Sequence, residues 1–245
     1  MSKMPMVRPH PFLRSKNRLL ATLPAEDYRR IVPHLETVFL TPKQVLLRRD
    51  EGIRLVYFPH GGVCSVTILT ENGAEVEVGM VGYEGMVGIS AFFGTQPMPG
   101  ESTLQVPGMN GTTAERMTIE ALRHEVDRHG ALHDIISRYS HGTLTLMMQS
   151  IACMALHPVN ERCCRWLLMT HDRIQSNEFE VSHGFLAMTV GATRPTVTVV
   201  AGMLQKAGLI RYRHGRMTIL DRPGLEAASC ECYAVVKTAF ERLGL

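Results

Sequence analysis

What stands out first in this 245-residue sequence is a stretch without carboxylates. "SHGFLAMTVGATRPTVTVVAGMLQKAGLIRYRHGRMTIL", from Ser182 to Leu220, contains no Asp or Glu, yet carries Arg194, Lys206, Arg211, Arg213 and Arg216 with His183 and His214. The whole chain holds 26 basic against 23 acidic residues, so general basicity does not explain the bias. Other absences exclude function classes. No apolar run reaches 18 residues, which excludes a membrane-spanning helix. "MSKMPMVRPHPFLRSKNRLL" lacks the apolar core of a signal peptide, so a reducing cytoplasm is expected, with Cys64, Cys153, Cys163, Cys164, Cys230 and Cys232 as free thiols. No glycine-rich phosphate loop precedes a helix, and no spacing recommends a Ser-His-Asp, Cys-His or paired-carboxylate centre. Between Val38 and Thr118 the one histidine is His60, too few ligands for a metalloenzyme built on a barrel. The chain is expected not to be an enzyme.

What is present changes character along the chain. Residues 1–18 are basic and proline-spaced and are expected to form a loose arm. "NRLLATLPAEDYRRIVPHLE" has apolar residues at helical spacing, interrupted by Pro24 and Pro33, and predicts two short helices. From Val38 to about Thr118 the period falls to two. "TVFLTPKQVLLRR", "RLVYFPHGGVCSVTIL", "AEVEVGMVG" and "STLQVPG" are short strand-like runs, with turn signals at Gly61-Gly62, Glu71-Asn72-Gly73, Gly82 and Pro99-Gly100. That spacing predicts an antiparallel barrel or jelly roll, with Asn72-Gly73 suited to a type I′ hairpin turn. A helical period returns after Thr118. Leu132, Ile136, Tyr139, Thr143, Leu146, Ser150 and Cys153 form a stripe at 3-4 spacing, as on a helix packed along a seam. His157-Pro158 ends that helix.

The acid-free stretch then reads as a helix from Ser182, a turn at Gly191 and a second helix opened by the N-cap Thr193, with Pro195 in its first turn. Val197, Val200, Met203 and Leu204 are its expected buried face, and Gly208 its stop. Two strands, Leu209–Tyr212 and Met217–Leu220, follow around His214-Gly215 as a wing. This is a winged helix-turn-helix, and it gives the charge bias a cause. A surface seated on phosphates excludes carboxylates, and clustered cations release counterions on binding. Thr193, Thr196 and Thr198 suit phosphate oxygens or thymine methyls. Arg194 can contact guanine through two hydrogen bonds. Lys206, Arg211, Arg213 and Arg216 complete the expected contacts to double-stranded DNA.

"VYFPHGGVCSVTI", "VGYEGMVG", "FLAMTVGATRPTVT" and "LQKAGLIRYRHGRMTILD" resemble the Crp/Fnr superfamily of bacterial transcriptional regulators, over nearly the whole chain. The resemblance implies an α+β protein. A double-stranded β-helix (jelly roll) of the cyclic-nucleotide-binding type would span 19–126, a dimerisation helix 127–156 and a winged helix-turn-helix 157–245. Paired in a homodimer, the 132–153 stripe becomes the seam. Two departures stand out. Cyclic-nucleotide binders open their phosphate cassette with Gly-Glu and close it with Arg followed by Ser or Thr. Here Tyr83 separates Gly82 from Glu84, ahead of Gly85, and Glu101-Ser102 stands at the closing pair. A carboxylate facing a phosphate is repulsive, so cyclic AMP is expected not to bind in the family's manner. The pocket would be empty, filled by Phe92 or Phe93, or adapted to another effector. Well-known members also read bases with a Glu beside the first Arg and an Arg four residues on; here those positions hold Pro195 and Val199. Base contacts are therefore expected to be fewer, with DNA shape supplying the rest.

Cys163-Cys164 point to different faces of a helix, one of them expected in the core, and Cys230-x-Cys232 lacks the CxxC spacing of structural zinc sites. No metal or other cofactor is expected. The leading reading is a cytoplasmic, homodimeric, DNA-binding regulator with no membrane contact and with RNA polymerase as a further candidate partner. The alternatives are an effector receptor whose winged helix contacts protein, and a thiol- or metal-responsive regulator.

Overall fold

The computed structural model describes residues 14–94, 97–109 and 111–245. Residues 1–13 of the expected arm lie outside them. Its last residues are packed: Asn17 is fully buried, caps the first helix and donates to the carbonyls of Pro59 and Gly85.

The short helices α1 (Arg18–Ala21) and α2 (Ala25–Ile31) lead into the strands. These are β1 (Glu36–Leu40), β2 (Val45–Leu47), β3 (Leu55–Pro59), β4 (Val63–Leu69), β5 (Glu75–Val81), β6 (Gly100–Val106) and β7 (Thr112–Thr118). They form two antiparallel sheets, β1-β7-β3 and β2-β6-β4-β5. Their buried residues fall in two clusters: Tyr57, Cys64, Leu104 and Ala114 pack in one, while Val56, Phe58, Val106 and Met117 join the main apolar core that the helices share. Each large apolar side chain so buried contributes about 1.5–3 kcal/mol. At the β4–β5 hairpin the expected type I′ turn does not form. The Gly73 amide donates to the Thr70 carbonyl, and of the pair Asn72-Gly73 only Gly73 has a positive φ, +81°. The loop is a type I turn closed by a left-handed glycine, the three-residue alternative for a hairpin.

Thr118 caps α3 (Ile119–Val126), and α4 (Ala131–Leu156) follows. Next come α5 (Val159–Ile174), β8 (Glu178–Glu180), α6 (His183–Thr189), α7 (Arg194–Lys206), β9 (Ile210–Arg213), β10 (Arg216–Ile219), α8 (Arg222–Ala227) and α9 (Cys232–Arg242). One core runs through both halves, joining Met80 and Met86 of the barrel to Leu146, Trp166 and Leu186.

The stripe expected to form a dimer seam faces inward. Leu132, Ile136, Tyr139, Leu146 and Cys153 are at most 2% exposed, and Thr143 and Ser150 are half-buried. The face turned to solvent is the other 3-4 stripe, Ser137, His141, Leu144, Met148, Ile151 and Ala155. The inward stripe belongs to the chain's own core, because α4 lies between the barrel on one side and α9 on another. Cys163 and Cys164 are both buried, against the expectation of one, and burial pushes each thiol up to about 12.

Candidate functional site

The helix-turn-helix is built by caps and one left-handed residue. The Ser182 side chain accepts from the Phe185 amide, Gly191 turns the chain at φ +59°, and Thr193 accepts from the Thr196 amide to start α7. Pro195 falls in the first turn, where no amide partner is missing. Val197, Val200, Ala201 and Leu204 are buried; Met203, expected among them, is exposed, and Ala201 takes its place. The phase of the helix explains the change: 197, 200, 201 and 204 already close one stripe.

The wing is a hairpin whose two turn residues, His214 and Gly215, have φ of +51° and +82°. Positive φ at both central positions is the type I′ geometry. A third strand, β8, was not legible in the sequence; it pairs with β10 through Glu178, Phe179 and Glu180. Arg216 consequently lies beside two carboxylates, 3.5 Å from Glu178 and 3.8 Å from Glu180.

Thr193, Arg194, Thr196, Thr198, Lys206, Arg211, Arg213 and Arg216 are all exposed, on α7 and the wing. Among the described residues, Arg194, Lys206, Arg211 and Arg213 have no carboxylate within ion-pair distance. All three threonines are partly committed: Thr193 and Thr196 share a 2.8 Å hydrogen bond, and Thr198 is held by His183 Nδ1 at 2.9 Å. The His183 ring stacks on Tyr212, with 4.2 Å between centroids, and desolvation then nearby Arg194 lower its pKa. Neutral His183 thus buttresses α7 from below. The outer face of α7 also exposes Val199 and Met203, two apolar side chains one turn apart. The sequence reading placed Val199 at a base-reading position without giving it a contact and placed Met203 in the buried face; the signal for an apolar outer face was the absence of a charged residue between Arg194 and Lys206.

The effector residues are only partly brought together. Ser102 borders a cavity of about 320 Å³ between the barrel and α4, lined mostly by apolar side chains such as Leu47, Val66, Ile68, Ile89, Met98 and Leu146. Gly82, Glu84, Gly85 and Glu101 do not line it; the loop bordering it is Val87–Ser90. Phe92 and Phe93 stand outside, with Phe93 70% exposed, so neither fills the space. Among the described residues, Arg48 is the one cation on the wall, accompanied by Glu51. The Gly82–Gly85 turn packs against α4 and α5. Glu84 accepts from Arg173 Nε of α5 at 2.8 Å, both residues being 7% exposed. A Cβ on Gly85 would overlap the Tyr139 phenol of α4. The Glu84 carboxylate is therefore spent on an ion pair between the two halves of the molecule.

Comparison with known proteins agrees with this layout. Residues 161–228 match the family model of the Crp-like helix-turn-helix domain. The chain is 27% identical over 184 residues to transcriptional regulator SdrP of Thermus thermophilus, covering 73% of this chain and 83% of that protein. The structure of FixK2 from Bradyrhizobium japonicum superposes with a TM-score of 0.67 at 14% identity, over 79% of this chain and 96% of that one. TTHB099 of Thermus thermophilus, a transcriptional regulator of the CRP family, gives 0.64 at 22% identity, over 78% and 96%. At these identities the two structures establish the fold. No helix among the described residues is long and apolar enough to cross a membrane.

Proposed function

We propose that the chain is a transcriptional regulator of the Crp/Fnr type, that it binds a two-fold DNA operator as a homodimer in the cytoplasm, and that it responds to an apolar effector. The observation that carries the DNA reading is the exposed face bearing Arg194, Lys206, Arg211 and Arg213 with no carboxylate opposed to them. The N-terminus of α7 adds its positive end to that face. Arg194 supplies base contact, and exposed Val199 and Met203 offer surfaces for thymine methyls. Arg216, flanked by Glu178 and Glu180, is a weaker phosphate contact than its neighbours on the wing.

Dimerisation uses the outward stripe of α4, where Leu144, Met148 and Ile151 are 56–71% exposed. Pairing these helices sets two recognition helices about one helical turn of DNA apart, about 34–36 Å. Effector binding in the cavity beside Tyr139 and Leu146 then shifts α4 and, through it, the operator affinity. The wall favours an uncharged, apolar molecule. A cyclic phosphate would find only exposed Arg48, already accompanied by Glu51.

Selection from a random-DNA pool, followed by anisotropy at several salt concentrations, tests the reading. Enrichment of a two-fold site is expected, with no change on adding cyclic AMP. Arg194→Ala is expected to cost about 1–3 kcal/mol of discrimination at its base while leaving the fold intact. Unselected binding, or full selectivity in that variant, would overturn the assignment.

A further inference from the structure

Three cysteines and a histidine that are scattered in the sequence meet at the base of α4. Cys153 lies in its last turn, and His157 is the residue that ends it. Cys230 and Cys232 lie at the start of α9. One ligand atom from each can be chosen so that all four fall within 4.8 Å of one another. Cys153 Sγ and Cys230 Sγ are 3.5 Å apart, and Cys232 Sγ and His157 Nδ1 are also 3.5 Å apart. A tetrahedral ion about 2.3 Å from sulfur and about 2.0–2.1 Å from nitrogen spaces its ligands about 3.8 Å (S···S) and about 3.6 Å (S···N) apart. The two measured edges lie within a few tenths of an ångström of those values. The three sulfurs are at most 4% exposed and form a cluster separate from the main apolar core.

We propose that Cys153, His157, Cys230 and Cys232 bind one zinc ion, or an equally thiophilic divalent cation, which fastens the end of α4 to the start of α9. Three thiolates and one imidazole form a closed structural set for zinc, and sulfur ligands select against calcium and magnesium. The surroundings are those a ligand set needs. His157 Nε2 lies 3.3 Å from Glu231 Oε1, the arrangement in which a carboxylate orients a metal-binding imidazole. Gln149 Nε2 donates to Cys232 Sγ at 3.0 Å. Binding displaces three thiol protons and leaves the centre with one net negative charge, which Arg165, near Cys153, opposes.

The site's position gives it a consequence. Cys153 and Cys230 are 77 residues apart, and the segment between them contains α5 to α8, including the whole helix-turn-helix. His157-Pro158 is the joint between α4 and α5. A cation there holds the joint in one geometry, so its loss weakens operator binding. This second step rests on the DNA-binding reading; the site itself does not.

The test is to strip the full-length, reduced protein with chelator and titrate it with Co(II), then Zn(II). Expected are one equivalent per chain, the ligand-field bands of a tetrahedral thiolate site, and displacement of cobalt by zinc. Cys230→Ser and Cys232→Ser should abolish uptake, while Cys64→Ser, in the barrel, should not change it. Glu231→Gln, at an exposed carboxylate, should fold normally and lower the zinc affinity about 10–100-fold. Absence of cobalt uptake, an octahedral spectrum, uptake indifferent to Cys230→Ser, or a Cys153–Cys230 disulfide formed with zinc present would each overturn the site. Operator affinity is then compared with and without zinc. Metal bound with unchanged operator affinity would overturn only the coupling. Absence of DNA binding would overturn the regulator reading and leave the metal titration standing.

Discussion

Glu84 shows how a single residue can keep a recognisable place in the sequence and take another role in the structure. It lies in a glycine-flanked turn of the barrel, yet its carboxylate accepts from Arg173, 89 residues later, and from the Gly82 amide. The sequence shows both residues, but nothing local joins them; only the docking of α5 on the barrel does. The physical consequence is calculable. Removing one member of a buried ion pair leaves an uncompensated charge and typically costs about 3–5 kcal/mol, whereas replacing both by apolar groups of similar volume is often near neutral. Arg173→Met is thus expected to lower the urea midpoint sharply, and Arg173→Met with Glu84→Met to regain most of it. If the two single losses merely add in the double variant, the ion pair is not the link between the halves.

At the scale of elements, most of the barrel strands, the long helix and the winged helix-turn-helix were legible, and β8 was not. Their periods differ, and Ser182, Thr193, Gly191 and Gly208 mark the helix ends. Which side of α4 faces outward was not legible. The helix has two apolar stripes in its second half, because it is covered by its own barrel and α9 on one side and leaves Leu144, Met148 and Ile151 open on another. Periodicity finds a stripe but cannot say which of two is covered by the same chain. The stripe from Leu132 to Cys153, interrupted by the small polar Thr143 and Ser150, was the one chosen as a seam and is the internal face. The two assignments predict opposite results. Met148→Asp with Ile151→Asp is expected to yield a folded monomer in analytical ultracentrifugation. Operator affinity should fall by about 10²–10⁴-fold, as two linked half-site contacts become independent. Tyr139→Ala, on the inner stripe, should cost about 3–5 kcal/mol of stability, as truncation of a buried aromatic does. A dimer that survives both aspartates would place the seam elsewhere.

Across the whole molecule, the question is how the barrel and the helix-turn-helix half are held together, and one buried carboxylate reports on it. Glu77 of β5 is 7% exposed, and its Oε1 accepts from Trp166 Nε1 of α5 at 2.9 Å, while Ser65 donates to its other oxygen. Burial pushes its pKa from 4.5 up to about 7, against the opposing hydrogen bonds from Ser65 and Trp166 and the charges of Arg173 and Arg165. The sign follows from proton counting. Between pH 4.5 and about 7 the folded chain holds a proton that the unfolded chain has released, so this group's contribution falls as pH rises through that window. The full difference is on the order of 3 kcal/mol. Because Trp166 is the chain's single tryptophan, its fluorescence reads the contact directly. The emission is expected to titrate with a midpoint near 7 in the native protein and to be flat in Glu77→Gln, whose side-chain oxygen still accepts from the indole. The same substitution should raise the melting temperature at pH 8 and leave it little changed at pH 4.5. Loss of the titration with no gain in stability at pH 8 would mean that Glu77 ionises without strain, and that the two halves are joined by the Glu84–Arg173 pair and the apolar core alone.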